Sequence, residues 1–162
     1  MEILEIKDLE TLAKKRVPKM FFDYVNSGSW TETTYNENVS DFQKIKFRQR
    51  VAIDMSNRTL QTKMINQPVS MPVAIAPTGL TGMQRADGEI LAAQAAEEFG
   101  IPYTLSTMSV CSIEAVAEKT KKPFWFQLYV MKDKKFMERL IDRAKEAKCS
   151  ALVLTLDLQL LG

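Results

Sequence analysis

Short apolar runs alternate with helical patterns through the second half of the chain. The apolar runs are four in number and span residues 73–76, 102–105, 123–130 and 151–155. The segments between them place apolar residues at helical spacing, over residues 87–99, from Ser112, and from Asp133 onward. Gly100 is typical of a helix end, and Ser112 and Asp133 of helix starts. This alternation predicts an α/β fold with parallel strands joined by right-handed crossovers.

The first part of the chain, residues 1–70, has a different pattern, which predicts a helical and irregular segment. One helix is predicted over residues 6–13, a second from Pro18 to about Gly28, and a further turn over residues 36–42. Residues 47–53 and 59–62 suggest short extended segments. We therefore divide the chain into residues 1–70 and residues 71–162.

Two architectures fit residues 71–162: a doubly wound open sheet, or part of a (β/α)8 barrel. A closed eight-stranded barrel typically needs about 250 residues, so four strands correspond to half a barrel or to a small open sheet. The glycine-rich phosphate motif of dinucleotide-binding sheets does not follow the first predicted strand. The strand pattern alone leaves both architectures open.

Charge and composition exclude several classes of function. The chain has 22 basic and 20 acidic residues and a net charge of +2, so we expect no nucleic-acid partner. The two cysteines, Cys111 and Cys149, fit no metal-ligand spacing, and we expect two reduced thiols and no metal. No apolar stretch reaches the length of about 18 residues that a membrane span needs. The chain contains no histidine, the commonest general base near neutral pH.

Polar residues occur where the predicted strands end, which is where parallel α/β folds bind ligands. The residues concerned are Pro77, Thr78 and Gly79, then Ser106 and Thr107, then Gln127 and Tyr129, then Thr155 and Asp157. Each could instead be a turn or capping residue. Gln127 and Tyr129 stand inside an apolar run, and buried polar groups need partners. They could bond to each other, to the backbone or to a ligand.

Four motifs stand at the predicted strands: residues 70–77 (SMPVAIAP), 105–107 (LST), 125–130 (WFQLYV) and 154–157 (LTLD). They resemble the successive barrel strands of the FMN-dependent 2-hydroxy-acid oxidising family. Further phrases, at residues 79–83, 100–102 and 109–114, resemble the quinone-linked bacterial L-lactate dehydrogenases most. The resemblance implies the first half of a (β/α)8 barrel with about four parallel strands, preceded by the helical segment.

The resemblance also implies roles for individual residues. Tyr24 would bind the substrate carboxylate; without the resemblance it would be taken for a core aromatic. Pro77, Thr78 and Gly79 would pass close to FMN, while Ser106, Gln127 and Thr155 would hydrogen-bond its isoalloxazine ring. Tyr129 would contact both flavin and substrate. Asp157 would pair with the family's catalytic histidine.

The resemblance further implies oxidation of an L-2-hydroxy acid, L-lactate, to a 2-oxo acid. The family's histidine, carboxylate-binding arginines, flavin lysine and most of its phosphate site have no counterpart here, and Leu158 and Gln159 depart from the fourth-strand pattern. We therefore expect a fragment that is inactive alone and that pairs with a C-terminal half or with itself. The alternative is a non-catalytic remnant or a partner-binding half-barrel. We expect it in the cytoplasm or peripherally on the cytoplasmic face of the inner membrane.

A half-barrel would also have two open edges, here the runs at residues 73–76 and 151–155. We expect its inner face to be uncovered, so that Ile75, Leu105 and Val153 meet water. Such exposure predicts a marginally stable chain that tends to associate.

Overall fold

The computed structural model describes residues 2–157. Contacts between Cα atoms divide the chain into two compact units, Met1–Thr59 and Leu60–Gly162. No helix within residues 2–157 is long and apolar enough to cross a bilayer.

The first unit contains three helices: α1 (Ile6–Arg16), α2 (Lys19–Asn26) and α3 (Thr33–Lys44). Helix α1 begins with a capping box between Glu5 and Asp8. Its last turn carries three basic residues, whose positive charges interact favourably with the negative end of the helix dipole. Pro18 is the N-cap of α2 rather than a residue of its first turn. All three predicted helices are present. The extended segment expected at residues 47–53 forms no strand.

A β-hairpin opens the second unit. Strands β1 (Thr62–Met64) and β2 (Gln67–Val69) are antiparallel, with Met64 opposite Gln67. The two turn residues, Ile65 and Asn66, both have positive φ, at 45° and 62°. This is the backbone that a two-residue hairpin loop requires. The usual signal is Asn-Gly, and Ile-Asn does not resemble it, so the hairpin was not predicted from the sequence.

The main sheet has three parallel strands in the order β3 (Thr104–Leu105), β4 (Trp125–Tyr129) and β5 (Ala151–Thr155). The run at residues 73–76 contributes a single parallel bridge between Ile75 and Tyr103 instead of a full strand. The predicted parallel arrangement is confirmed, with three strands and a bridge where about four strands were expected.

Four helices accompany these strands: α4 (Thr81–Gln84), α5 (Gly88–Phe99), α6 (Ile113–Lys119) and α7 (Lys134–Glu146). Ser112 caps α6, since its Oγ accepts the Ala115 N–H at 3.1 Å. Asp133 caps α7 in the same way through Phe136, at 3.0 Å. Gly100 ends α5 with a φ of 75°, a backbone that residues other than glycine rarely adopt.

Helices α5, α6 and α7 cover one face of the sheet, and the expectation that Leu105 meets water was wrong. Leu105 is 0% exposed, and it belongs with Phe126 to the cluster that packs against the three helices. Ile75 packs against the same cluster. Opposite residues of parallel strands point to the same face, and Leu105 pairs with Phe126, so both point toward the helices. The half-exposed apolar residues of the sheet are Leu152 and Leu154 on β5.

Candidate functional site

Three polar side chains form a hydrogen-bonded row across the strands, on the face opposite the helices. Ser106 follows β3 directly, Gln127 lies within β4, and Thr155 ends β5. Ser106 Oγ donates to Gln127 Oε1 at 3.3 Å, and Gln127 Nε2 donates to Thr155 Oγ1 at 2.7 Å. We call these residues the polar row. Side chains alternate between the faces of a strand, so Gln127 points away from the helix-facing Phe126 and Leu128.

The orientation of the Gln127 amide is determined by its partners. The backbone N–H of Thr107 donates to Oε1 at 3.2 Å, and a backbone N–H can only donate. The accepting atom is therefore the amide oxygen, and the amide nitrogen is directed toward Thr155. Gln127 is 1% exposed, and a buried amide without partners would cost stability. The protein thus supplies partners for the amide and leaves one Nε2 hydrogen unused by the contacts described.

Thr107 holds the polar row in place; the strand-end pattern had singled it out with Ser106, while the family resemblance implied no role for it. Its hydroxyl donates to the main-chain oxygen of Gln127 and accepts the N–H of Tyr129 at 3.3 Å. The N–H of Met108 donates to Ser106 Oγ at 3.1 Å, so the serine hydroxyl accepts one bond while it donates another to Gln127. The sequence feature that points to Thr107 is its position next to Ser106, directly after an apolar strand.

Pro77, Thr78 and Gly79 lie in the segment between the Ile75 bridge and α4. The main-chain oxygen of Thr78 accepts the Thr81 hydroxyl at 3.1 Å. The N–H of Leu80 donates to the main-chain oxygen of Met108 at 2.9 Å. This bond joins the segment to the loop that follows Ser106, while Pro77 and Thr78 remain exposed.

Within residues 2–157, no side-chain hydrogen bond joins the remaining predicted site residues to the polar row. Tyr129 is half-buried at the end of β4, and Asp157 is exposed two residues after β5. Tyr24 lies on α2 in the first unit and is 53% exposed. Leu158 and Gln159 lie outside the described residues.

A cavity of about 690 Å³ lies at the other ends of the strands. The hairpin β1–β2, helix α5 and the residues preceding β3 and β4, Tyr103 and Phe124, line it. None of the predicted site residues is among its lining residues. Parallel α/β folds bind ligands at the carboxyl ends, so we place the candidate site at the polar row and not in this cavity.

The polar row carries no charged side chain, which limits what it can recognise. It offers hydroxyl and amide groups at fixed positions, and these suit neutral acceptors and donors such as those of a polar heterocycle. Residues 13–162 match the family described as FMN-dependent dehydrogenase. The chain belongs to this family. Its fold is accordingly the first part of a (β/α)8 barrel, and FMN is the cofactor that membership of the family implies.

Three similar proteins match 97% or more of the chain. An L-lactate dehydrogenase of Acinetobacter baylyi is 48% identical over 162 residues, which are 100% of this chain and 42% of that protein. A soluble mutant of the membrane-associated (S)-mandelate dehydrogenase from Pseudomonas putida has a TM-score of 0.93 and 36% identity, covering 99% of this chain and 46% of that one. A lactate oxidase of Pediococcus acidilactici has a TM-score of 0.90 and 32% identity, covering 97% and 44%. The chain thus spans less than half the length of these relatives.

The residues present fit FMN. An isoalloxazine ring carries carbonyl oxygens and ring nitrogens, which need hydrogen-bond partners of the neutral kind. Among the contacts of residues 2–157, one Nε2 hydrogen of Gln127 has no partner, and the Thr155 hydroxyl accepts from Gln127 and keeps its own hydrogen to donate. Because both groups are held by the protein, little ordering is needed when a ring binds.

Proposed function

We propose that the chain forms one wall of the flavin site of an enzyme that oxidises L-lactate, an L-2-hydroxy acid, to the 2-oxo acid. The observation that carries this proposal is the polar row, whose neutral donors are directed away from the helix-packed core. Family membership and the identity to an L-lactate dehydrogenase support it.

In this proposal, Ser106, Gln127 and Thr155 hold the isoalloxazine ring at its polar atoms. Backbone groups of residues 77–79 lie along the ring, and Tyr129 contacts both ring and substrate. Thr107 orients Gln127 through the two bonds described above. Such groups act by positioning, which can contribute a large share of a rate enhancement.

Substrate binding and proton transfer involve fewer residues of this chain. Tyr24 binds the substrate carboxylate, and Asp157 pairs with a histidine supplied from outside these 162 residues, holding its tautomer and stabilising its charged form. Oxidation removes two protons and two electrons from the hydroxy acid, and FMN, when bound, supplies the two-electron acceptor. The 162 residues contain no histidine, so the chain by itself turns over no lactate.

Partner and location belong to the same proposal. The chain pairs with a segment that completes the barrel, or with a second copy of itself. It lies in the cytoplasm or associates peripherally with the cytoplasmic face of the inner membrane, and its likeness to a dehydrogenase described as membrane-associated supports the second location.

Flavin titration of the 162-residue chain tests the proposal. We expect FMN fluorescence to be quenched on binding, and riboflavin to bind within about threefold of FMN, because the proposed contacts are to the ring and not to the phosphate. Dye reduction with L-lactate at saturating FMN should stay at the level of free FMN. A chain that binds neither flavin would contradict the proposal and favour the non-catalytic remnant. Turnover like that of a complete relative would contradict the need for an external histidine.

A further inference from the structure

Glu89 is a fully buried carboxylate outside the polar row. It lies in the first turn of α5 and is 0% exposed. Its Oε1 accepts the backbone N–H of Gly82 at 3.0 Å and that of Val110 at 2.9 Å. A glutamate in the first turn of an amphipathic helix ordinarily faces solvent, so the burial of Glu89 was not predicted from the sequence.

The two N–H groups belong to the two segments that carry candidate flavin contacts. Gly82 lies in α4, three residues after Gly79, and its N–H is among those that a helix start leaves without a helical partner. Val110 lies in the loop between Ser106 and α6. One carboxylate oxygen therefore connects both loops to the start of α5.

Close packing leaves little freedom around this carboxylate. A Cβ added to Gly82 would lie 2.7 Å from Val110 Cβ and 3.0 Å from Glu89 Oε2. Among the described residues Oε2 accepts no bond from a nitrogen or oxygen donor, although the Cys111 thiol interacts with the carboxylate. Burial opposes ionisation, but the bonds from Val110 and Gly82, with Cys111, outweigh it and leave the pKa of Glu89 lowered. Glu89 is thus a buried anion held by backbone donors.

We infer that Glu89 is a positioning residue for flavin binding. It fixes the position of residues 77–84, which end in α4, relative to the loop at residues 106–112. The inference rests on the proposed function for its flavin part. Bonds to a charged acceptor are stronger than bonds to a neutral one, so the carboxylate holds both loops more firmly than an amide would.

Hydrogen exchange tests the loop coupling without any flavin. In the wild-type chain, we expect the amides of Gly82 and Val110 to exchange at least about tenfold more slowly than unprotected amides. In Glu89→Gln, both amides should exchange about tenfold faster than in the wild type while those of β4 stay unchanged. Glu98→Gln is the matched control, since Glu98 is an exposed residue of the same helix. It should leave both loops unchanged.

FMN affinity provides the second measurement. We expect Glu89→Gln to raise the dissociation constant for FMN about three- to tenfold and Glu98→Gln to leave it unchanged. Unprotected Gly82 and Val110 amides in the wild type would overturn the inference even if Glu89→Gln does not fold. A folded Glu89→Gln variant in which the Gly82 and Val110 amides exchange as in the wild type, or in which FMN affinity is unchanged, would also overturn it. The wild-type chain could bind no flavin while Glu89→Gln still exposes the Gly82 and Val110 amides to exchange. That result would overturn the proposed function and the flavin part of the inference, and would support the structural link between the two segments.

Discussion

Gln127 donates a hydrogen bond from Nε2 to Oγ1 of Thr155 at 2.7 Å, joining the middle of β4 to the end of β5. We expect Thr155→Val, which has the same shape without the hydroxyl, to lower the free energy of unfolding by about 1–3 kcal/mol, because it leaves the buried amide without this acceptor. The urea midpoint measures the loss. FMN affinity should fall about five- to tenfold, since a ring donor is also removed.

Thr120→Val is the matched control for this substitution. Its hydroxyl donates to the main-chain oxygen of Val116 at 2.9 Å, away from the polar row. We expect it to cost some stability and to leave FMN affinity unchanged. Equal loss of affinity in both variants would mean that Thr155 acts only through stability.

The ion pair between α6 and α7 predicts a dependence of stability on pH. Arg143 holds both carboxylate oxygens of Glu114 at 2.7 Å and lowers the pKa of Glu114 to about 2, from its usual 4.5. A lowered pKa stabilises the folded chain above about pH 4.5, and the contribution is lost as the pH falls toward 2. The side chains are 42% and 54% exposed, so the pair contributes on the order of 0.5–1 kcal/mol.

Urea unfolding of Arg143→Met at pH 6 and pH 2.5 measures this contribution. The variant should be less stable than the wild type at pH 6 and closer to it at pH 2.5. Arg139→Met is the control. Arg139 lies on the same helix, over the Phe136 ring, and forms no ion pair with a carboxylate of residues 2–157. A difference for Arg143→Met that does not change with pH would contradict the assignment.

The edge strand β5 predicts association in solution. Leu152 and Leu154 are each 48% exposed, and within the described residues β5 pairs with β4 on one side only. Burying such a side chain contributes roughly 1.5–3 kcal/mol, so a contact there can drive association. Sedimentation across a dilution series should show a dimer or larger species for the wild type and a shift toward monomer for Leu154→Lys.

Leu91→Lys is the matched change at a comparably exposed leucine, on helix α5. It should leave the association of the wild type unchanged. A wild-type chain that stays monomeric at every concentration and unfolds cooperatively would contradict this prediction.

The half-buried thiol of Cys149 predicts slow reaction with thiol reagents. Burial raises its pKa to about 11, and the thiolate is the reactive form. At pH 8 we expect Cys149 in a Cys111→Ser background to react about a hundredfold more slowly than an exposed thiol. In urea the reaction should reach the rate of a free thiol. Rapid reaction of the folded chain would show that the thiol is less buried than described.

Local patterns in the sequence determined where the elements lie. The alternation of apolar runs and helical spacing predicted the positions of α5, α6 and α7 and of the strands. The tendency to form a helix or a strand depends largely on neighbouring residues along the chain. Ser112 and Asp133 cap helices as predicted, since a cap needs only residues two or three positions away. The motif containing Gln127 predicted a polar residue within the apolar run of β4, and that residue bonds to Ser106 and Thr155.

Contacts between residues far apart in the chain decided the rest. Leu105 faces the helices because its register opposite Phe126 sets its direction, and a two-residue strand carries no alternation from which the direction could be predicted. Glu89 is buried because Gly82 and Val110 present N–H groups to it, and Thr107 became a support of Gln127 through bonds across 20 residues. Sequence patterns describe where side chains alternate along one element, whereas such partners meet only when separate elements pack together.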